Sequence, residues 1–166
     1  MNSLQILLND IDANRGLNDG YVEVRGFYHY YTDSELITIS KHVFRFTPND
    51  TITDVRFCEF NILIIPELSD EYTDHITSID IQEVDRVIWD ESTTFHNINH
   101  MNICIDKCFD IDFMYRHTSL QDLDLTHCNN KPMVLDNRIS NLINLKTLEI
   151  WGDELVQYHL YRWIYI

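Results

Sequence analysis

Three cysteines and two histidines lie close together in this chain: Cys104, Cys108, His117, His127 and Cys128. Zinc takes such ligands in a tetrahedron. Their spacing fits no compact zinc motif, so no metal is expected here. Asp10, Asp12 and Asn14 offer oxygens at the first, third and fifth positions of a calcium loop. The sharp turn such a loop makes at its sixth position needs Gly, and Arg15 stands there; Tyr21 stands where the closing Glu belongs. A polar turn is the simpler expectation. Nucleophilic catalysis needs a Ser or Cys beside a base. There is no G-x-S-x-G, and the histidines show no triad-like setting. Four glycines are too few for a phosphate-cradling loop. The expectation is a non-catalytic protein without a cofactor, with its four cysteines free in a reducing compartment.

The elements that would position such residues are most legible near the C-terminus. Leu145-Lys-Thr-Leu148-Glu-Ile150-Trp-Gly-Asp153-Glu-Leu155 fits the template L-x-x-L-x-L-x-x-N-x-L, with Asp for Asn. Leu120-Gln-Asp-Leu123-Asp-Leu125-Thr-His-Cys128 fits the same template with Cys, 25 residues earlier. Between them Ile139, Leu142 and Leu145 repeat every third residue. These segments resemble the leucine-rich repeat family, in which each copy supplies one short strand and a crossover. Ile76, Ile79 and Ile81 keep the apolar positions. So do Phe57, Phe60 and Ile62. Ile103 and Ile105 keep two, with His100 in place of the first Leu; Ile37 and Ile39 do the same with Ser34. Marked at 37, 60, 79, 103, 123 and 148, the copies are 23, 19, 24, 20 and 25 residues apart.

One strand-plus-crossover unit cannot bury its own apolar face, so units must stack. The resemblance implies an α/β fold: a short, irregular solenoid with parallel strands on a concave face and short helices or loops on the convex one. Residues 51–155 are read as the repeats. Residues 1–50, with the β-prone runs 21–31 and 36–46, are read as a β-rich N-terminal cap. Residues 156–166 are densely apolar and are read as a C-terminal cap or a docking strand. One alanine in 166 residues fits strands better than helices.

Charge narrows the partners. The chain carries 27 acidic and 12 basic residues, a net charge of −15. That repels nucleic acid and anionic membrane surfaces. The short apolar run 4–8 has no preceding Lys or Arg and is no signal peptide. No stretch is long and apolar enough to cross a membrane as a helix. The expected place is the cytoplasm. Low Ala, Gly and Pro with abundant Ile, Asn and Tyr suggests an AT-rich genome, such as a large DNA virus. That keeps host cytoplasm or a virion open.

Outward positions of the last four strands form three columns. They read Asp80, Cys104, Asp124 and Glu149; Ser78, Asn102, Asp122 and Thr147; and Gln82, Asp106, Thr126 and Trp151. Five of these twelve are acidic and none is basic. Leucine-rich repeat proteins are mostly interaction scaffolds, so the resemblance implies a protein-binding module. Asp80, Asp106, Asp122, Asp124, Glu149 and Trp151 are the expected contacts for a basic partner. The alternative is a structural subunit of a larger, virion-like assembly, joined through residues 158–166.

Overall fold

Apolar residues at alternate positions demand strands with one buried face, and the chain supplies them in series. The computed structural model describes residues 9, 16–18, 21–25, 53–108, 112–127 and 135–152. Strands β1 (Gly16–Asn18), β2 (Tyr21–Arg25), β3 (Asp54–Ile65), β4 (Ser78–Trp89), β5 (His100–Cys108), β6 (Asp122–His127) and β7 (Thr147–Gly152) form one sheet in chain order. The β1–β2 pair is antiparallel; the five following pairs are parallel. Among the described residues three short helices lie between strands: α1 (Asp70–Thr73) and the 3-10 helices η1 (Asp112–Arg116) and η2 (Asn137–Asn141). The described chain is thus an α/β structure with an open, mostly parallel sheet and little helix.

The register explains the spacing. Val22, Val55, Ile79, Met101, Leu123 and Leu148 stand side by side on neighbouring strands. From Val55 onward they are 24, 22, 22 and 25 residues apart. Two positions on, Phe57, Ile81, Ile103, Leu125 and Ile150 form a second row. Both rows are buried from β3 to β6, and Leu148 and Ile150 pack partly buried against them. Each buried Ile or Leu contributes about 1.5–3 kcal/mol by leaving water. On the same side lie Phe113, Met114 and Tyr115 of η1 and Ile139 of η2.

Strand entry is fixed by a repeated hydrogen-bond pair. The Thr53 carbonyl accepts from the amides of Thr77 (2.8 Å) and Ser78 (3.1 Å). The Thr77 carbonyl accepts from Asn99 and His100, Asn99 from Gln121 and Asp122, and Gln121 from Lys146 and Thr147. Asn97 and Asn144 side chains bridge the turns just before β5 and β7, donating to the carbonyls of Asp74 and Thr118.

Two readings of the sequence are corrected here. In β5 the inward pair is Met101 and Ile103, not Ile103 and Ile105; buried Ile98, not His100, fills the first apolar position. In β3 the pair matching Ile79 and Ile81 is Val55 and Phe57, while Phe60 pairs with Val84. Both slips have one cause: these strands outlast the template, and their later halves offer a second apolar pair. Within 1–50, β2 extends the parallel sheet directly from β3. The run 36–46, the possible calcium loop at 10–14 and residues 156–166 lie outside the described residues.

Midway along β3 and β4 the backbone turns left-handed at Glu59 (φ 61°) and Glu83 (φ 52°). Cys58 pairs with Gln82 and Phe60 with Val84, so the two glutamates sit beside each other. The inward positions then pass to Phe60, Leu63 and Ile65 on β3 and to Val84, Val87 and Trp89 on β4. Such a residue re-aims the strand beyond it. Left-handed backbone costs an L-residue about 1–2 kcal/mol, and a β-branched one more. Glu83→Val is therefore expected to unfold at lower urea than Glu83→Gly, by about 1–2 kcal/mol in free energy. Equal midpoints would contradict a conformational requirement at this position. Leu123→Ala, at the centre of the buried row, is expected to cost about 3 kcal/mol in the same assay.

Candidate functional site

The face of the sheet opposite the core carries the polar side chains of the strand entries. Its central row is Glu23, Arg56, Asp80, Asn102, Asp124 and Glu149. The row before it is Asp54, Ser78, His100, Asp122 and Thr147. The row after it begins with Arg25, Cys58 and Gln82 and ends with Cys104, Thr126 and Trp151. The shift in β5 therefore puts Asn102, not Cys104, beside Asp80 and Asp124. It puts His100, not Asn102, beside Asp122, and Cys104, not Asp106, beside Thr126. Asp106 lies two residues farther along β5, away from the other five expected contacts.

The face is not uniformly acidic. At its β2–β4 end Arg56 Nε donates to Asp80 Oδ2 (2.6 Å), and Arg56 Nη1 lies 3.7 Å from Glu23 Oε2. Arg25 donates to Glu23 (2.6 Å) and Glu59 (2.8 Å). Two arginines thus hold three carboxylates in one network. Asp80 also accepts from Gln82 Nε2 (3.0 Å). Its charge is committed inside the sheet, which corrects the reading of Asp80 as part of a face without bases. Arg25 and Arg56 belong to β2 and β3, outside the four strands whose outward columns the sequence defines.

The β5–β7 end differs. Asp122, Asp124 and Glu149 project there, and no ion pair among the described residues reaches them. Burial pushes the Asp124 carboxyl above its ordinary range; His100 opposes this, while Glu149 and Asp122 add to it. That is the behaviour of a partly desolvated carboxylate, with the neighbouring charges as lesser contributions. Beside them Trp151 is 63% exposed, unusual for so large an apolar ring.

Ser78, His100 and Asp122 fall in one row on adjacent strands. No hydrogen bond among the described residues joins them. Neither Cys58 nor Cys104 is in a disulfide among the described residues, and burial pushes the Cys58 thiol up to about 12. Cys128 lies outside the described residues. No group of three or more metal-ligating side chains converges among the described residues.

His117 is fully buried in the turn between η1 and β6. It stands three residues before Leu120, as Phe95 stands before Ile98 and Leu142 before Leu145 in the neighbouring turns. Its Nδ1 lies 3.0 Å from the Phe113 carbonyl, which assigns the proton to that nitrogen. Trp89 meets it edge-on at 5.2 Å. Burial pushes the imidazole down to about 4.

No protein-family model matches the chain, and neither does any curated protein or solved structure. No helix among the described residues is long and apolar enough to cross a membrane.

The buried imidazole makes a pH prediction. Its folded pKa, about 4, lies below the value of about 6.5 for a free His. The unfolded chain therefore takes the proton first. The stability is complete above the unfolded value and is lost as pH falls toward the folded one. Two and a half units correspond to about 3 kcal/mol. Between pH 6.5 and 4 the wild type is expected to lose about that much more stability than His117→Leu, compared by urea unfolding. Parallel pH curves would contradict a neutral buried imidazole.

Proposed function

We propose that this chain is a short, irregular leucine-rich-repeat solenoid and a non-catalytic protein-interaction module. Its partner is a basic segment that docks on the concave face at the β5–β7 end. Parallel strands in chain order, in-register apolar rows 22–25 residues apart and short crossover helices support the architecture. The leucine-rich repeat likeness warrants a scaffold role only by analogy. The binding surface rests on a separate observation: one end of the face is neutralised by arginines, while the other presents three carboxylates beside an exposed tryptophan.

That pairing suits a Lys- or Arg-bearing segment. Carboxylates steer a cation in and receive its hydrogen bonds. A tryptophan face binds the same cation or its aliphatic stem. Asp122, Asp124, Glu149 and Trp151 carry this role. Asp80 contributes to the field of the face while bound to Arg56. Binding is the whole of the proposed activity, and the cytoplasm is its proposed place.

A peptide array graded in Lys and Arg content tests the proposal. Binding is expected to rise with basic content and to weaken with added salt. Trp151→Ala is expected to weaken it about tenfold or more. The combined change Asp122→Lys, Asp124→Lys and Glu149→Lys is expected to abolish it. If the triple variant binds basic peptides as well as the wild type, with the same salt dependence, the proposal fails. If only acidic or neutral peptides bind, it fails too.

A further inference from the structure

A second site lies past the left-handed turn of β4, away from the acidic end. The last residues of β4 (Arg86, Val87, Ile88 and Trp89), Glu91 and η1 surround a cavity of about 250 Å³. From η1 come Asp112, Phe113 and Arg116. The wall is aromatic and held in place. Trp89 stacks on Phe113 at 4.5 Å with the rings 10° from parallel. Trp89 Nε1 donates to the Thr93 carbonyl (3.0 Å), and Thr93 Oγ1 donates to the Pro66 carbonyl (2.8 Å).

Arg116 Nη1 donates to the carbonyls of Asp90 (3.3 Å) and Glu91 (2.5 Å). Those acceptors are neutral and set its position; the nearby Asp90 carboxylate, itself held by Ser92, also feels the Arg116 charge. Arg86 has no hydrogen bond or ion pair among the described residues. Of the two acids at the rim, Asp112 is already held by Arg138 Nη2 (2.6 Å). Arg86 and Arg116 thus line the cavity with Glu91 and Asp112, and of these two carboxylates only Glu91 has no ion pair among the described residues.

We infer that this cavity binds a small monocarboxylate with an apolar or aromatic body, its carboxylate on Arg86 and Arg116 and its body against Trp89, Phe113 and Val87. A guanidinium receives a carboxylate through two parallel N–H bonds. The nearby Glu91 and Asp112 disfavour a doubly charged phosphate. The volume lies just below the range of about 300–1,000 Å³ that holds drug-sized ligands, which limits the body to one ring or a short chain.

Calorimetric titration of the full chain with phenylacetate tests this, with the Trp89 indole N–H signal in NMR as a second readout. Saturable binding that shifts this signal is expected. Arg86→Gln is expected to weaken it about tenfold or more while leaving folding intact, since Arg86 holds nothing in the fold. The neutral analogue phenylacetamide and inorganic phosphate are expected to bind at least tenfold more weakly than phenylacetate. The combined lysine changes at Asp122, Asp124 and Glu149 are expected to leave phenylacetate binding in place. Absence of binding up to about 10 mM would overturn the inference. So would equal affinity for phenylacetamide or phosphate, or an undiminished affinity in Arg86→Gln.

Discussion

One carbonyl oxygen per strand entry, accepting two amides from the next entry, sets the alignment on which the rest of this structure depends. Thr53, Thr77, Asn99 and Gln121 each play that part. A backbone carbonyl has two lone pairs, and here both are used within the sheet. The pairing locks each strand one position beside the last. A one-residue slip would turn the inward Ile and Leu rows outward. Loop length is then free to vary, because any excess is taken up between the strands. That is why 22- and 25-residue spacings coexist in one sheet.

The same alignment decides the electrostatics. Parallel strands about 4.8 Å apart place like positions close enough for neighbouring charges to act as a group. Where Arg56 falls between Glu23 and Asp80, the group is nearly neutral. Where Asp124 and Glu149 fall side by side, with Asp122 one row away, it is not. A property spread over the whole sequence, its excess of acid, becomes directional only through this register. Mean charge alone does not locate it.

Much of this was legible in the sequence from Leu120 onward, where apolar positions every third residue lead straight into an alternating strand. The same frame runs through Met114, His117, Leu120, Leu123 and Leu125, and through Phe95, Ile98, Met101 and Ile103. Read that way, Ile98 and Met101 announce the β5 entry. They were obscured because Ile103 and Ile105 also alternate, and a period-two pattern carries no mark of where a strand begins. In β3 the hidden cause was conformational: a left-handed Glu59 divides one long strand into two inward phases, and glutamate gives no warning of it as glycine would. Asp80, Asp122, Asp124, Glu149 and Trp151 fall in the strand-entry rows because β4, β6 and β7 follow the repeat frame without a shift. Asp106 stands farther along β5 because that strand's frame begins two residues earlier. The pairing of Asp80 with Arg56 follows from the β3 register.

The buried column of turn residues shows how the fold admits polar donors, although His117 Nε2 stays buried without a partner. Thr73, Phe95, His117 and Leu142 take equivalent places, each three residues before an inward Ile or Leu. The two polar members find acceptors within their own turns. Thr73 Oγ1 reaches the Ser69 and Asp70 carbonyls, and His117 Nδ1 reaches the Phe113 carbonyl four residues back. A side chain that bonds its own turn asks nothing of the neighbouring unit, so the column can vary from turn to turn. In the His117 turn that freedom assembles an aromatic group, with Trp89 stacked on Phe113 and set edge-on to both Phe95 and His117. Its inner side closes the core, and its outer side is the wall between Arg86 and Arg116. The rigidity needed for packing is thereby passed to the cavity, whose cations are set against a surface that the core itself holds still.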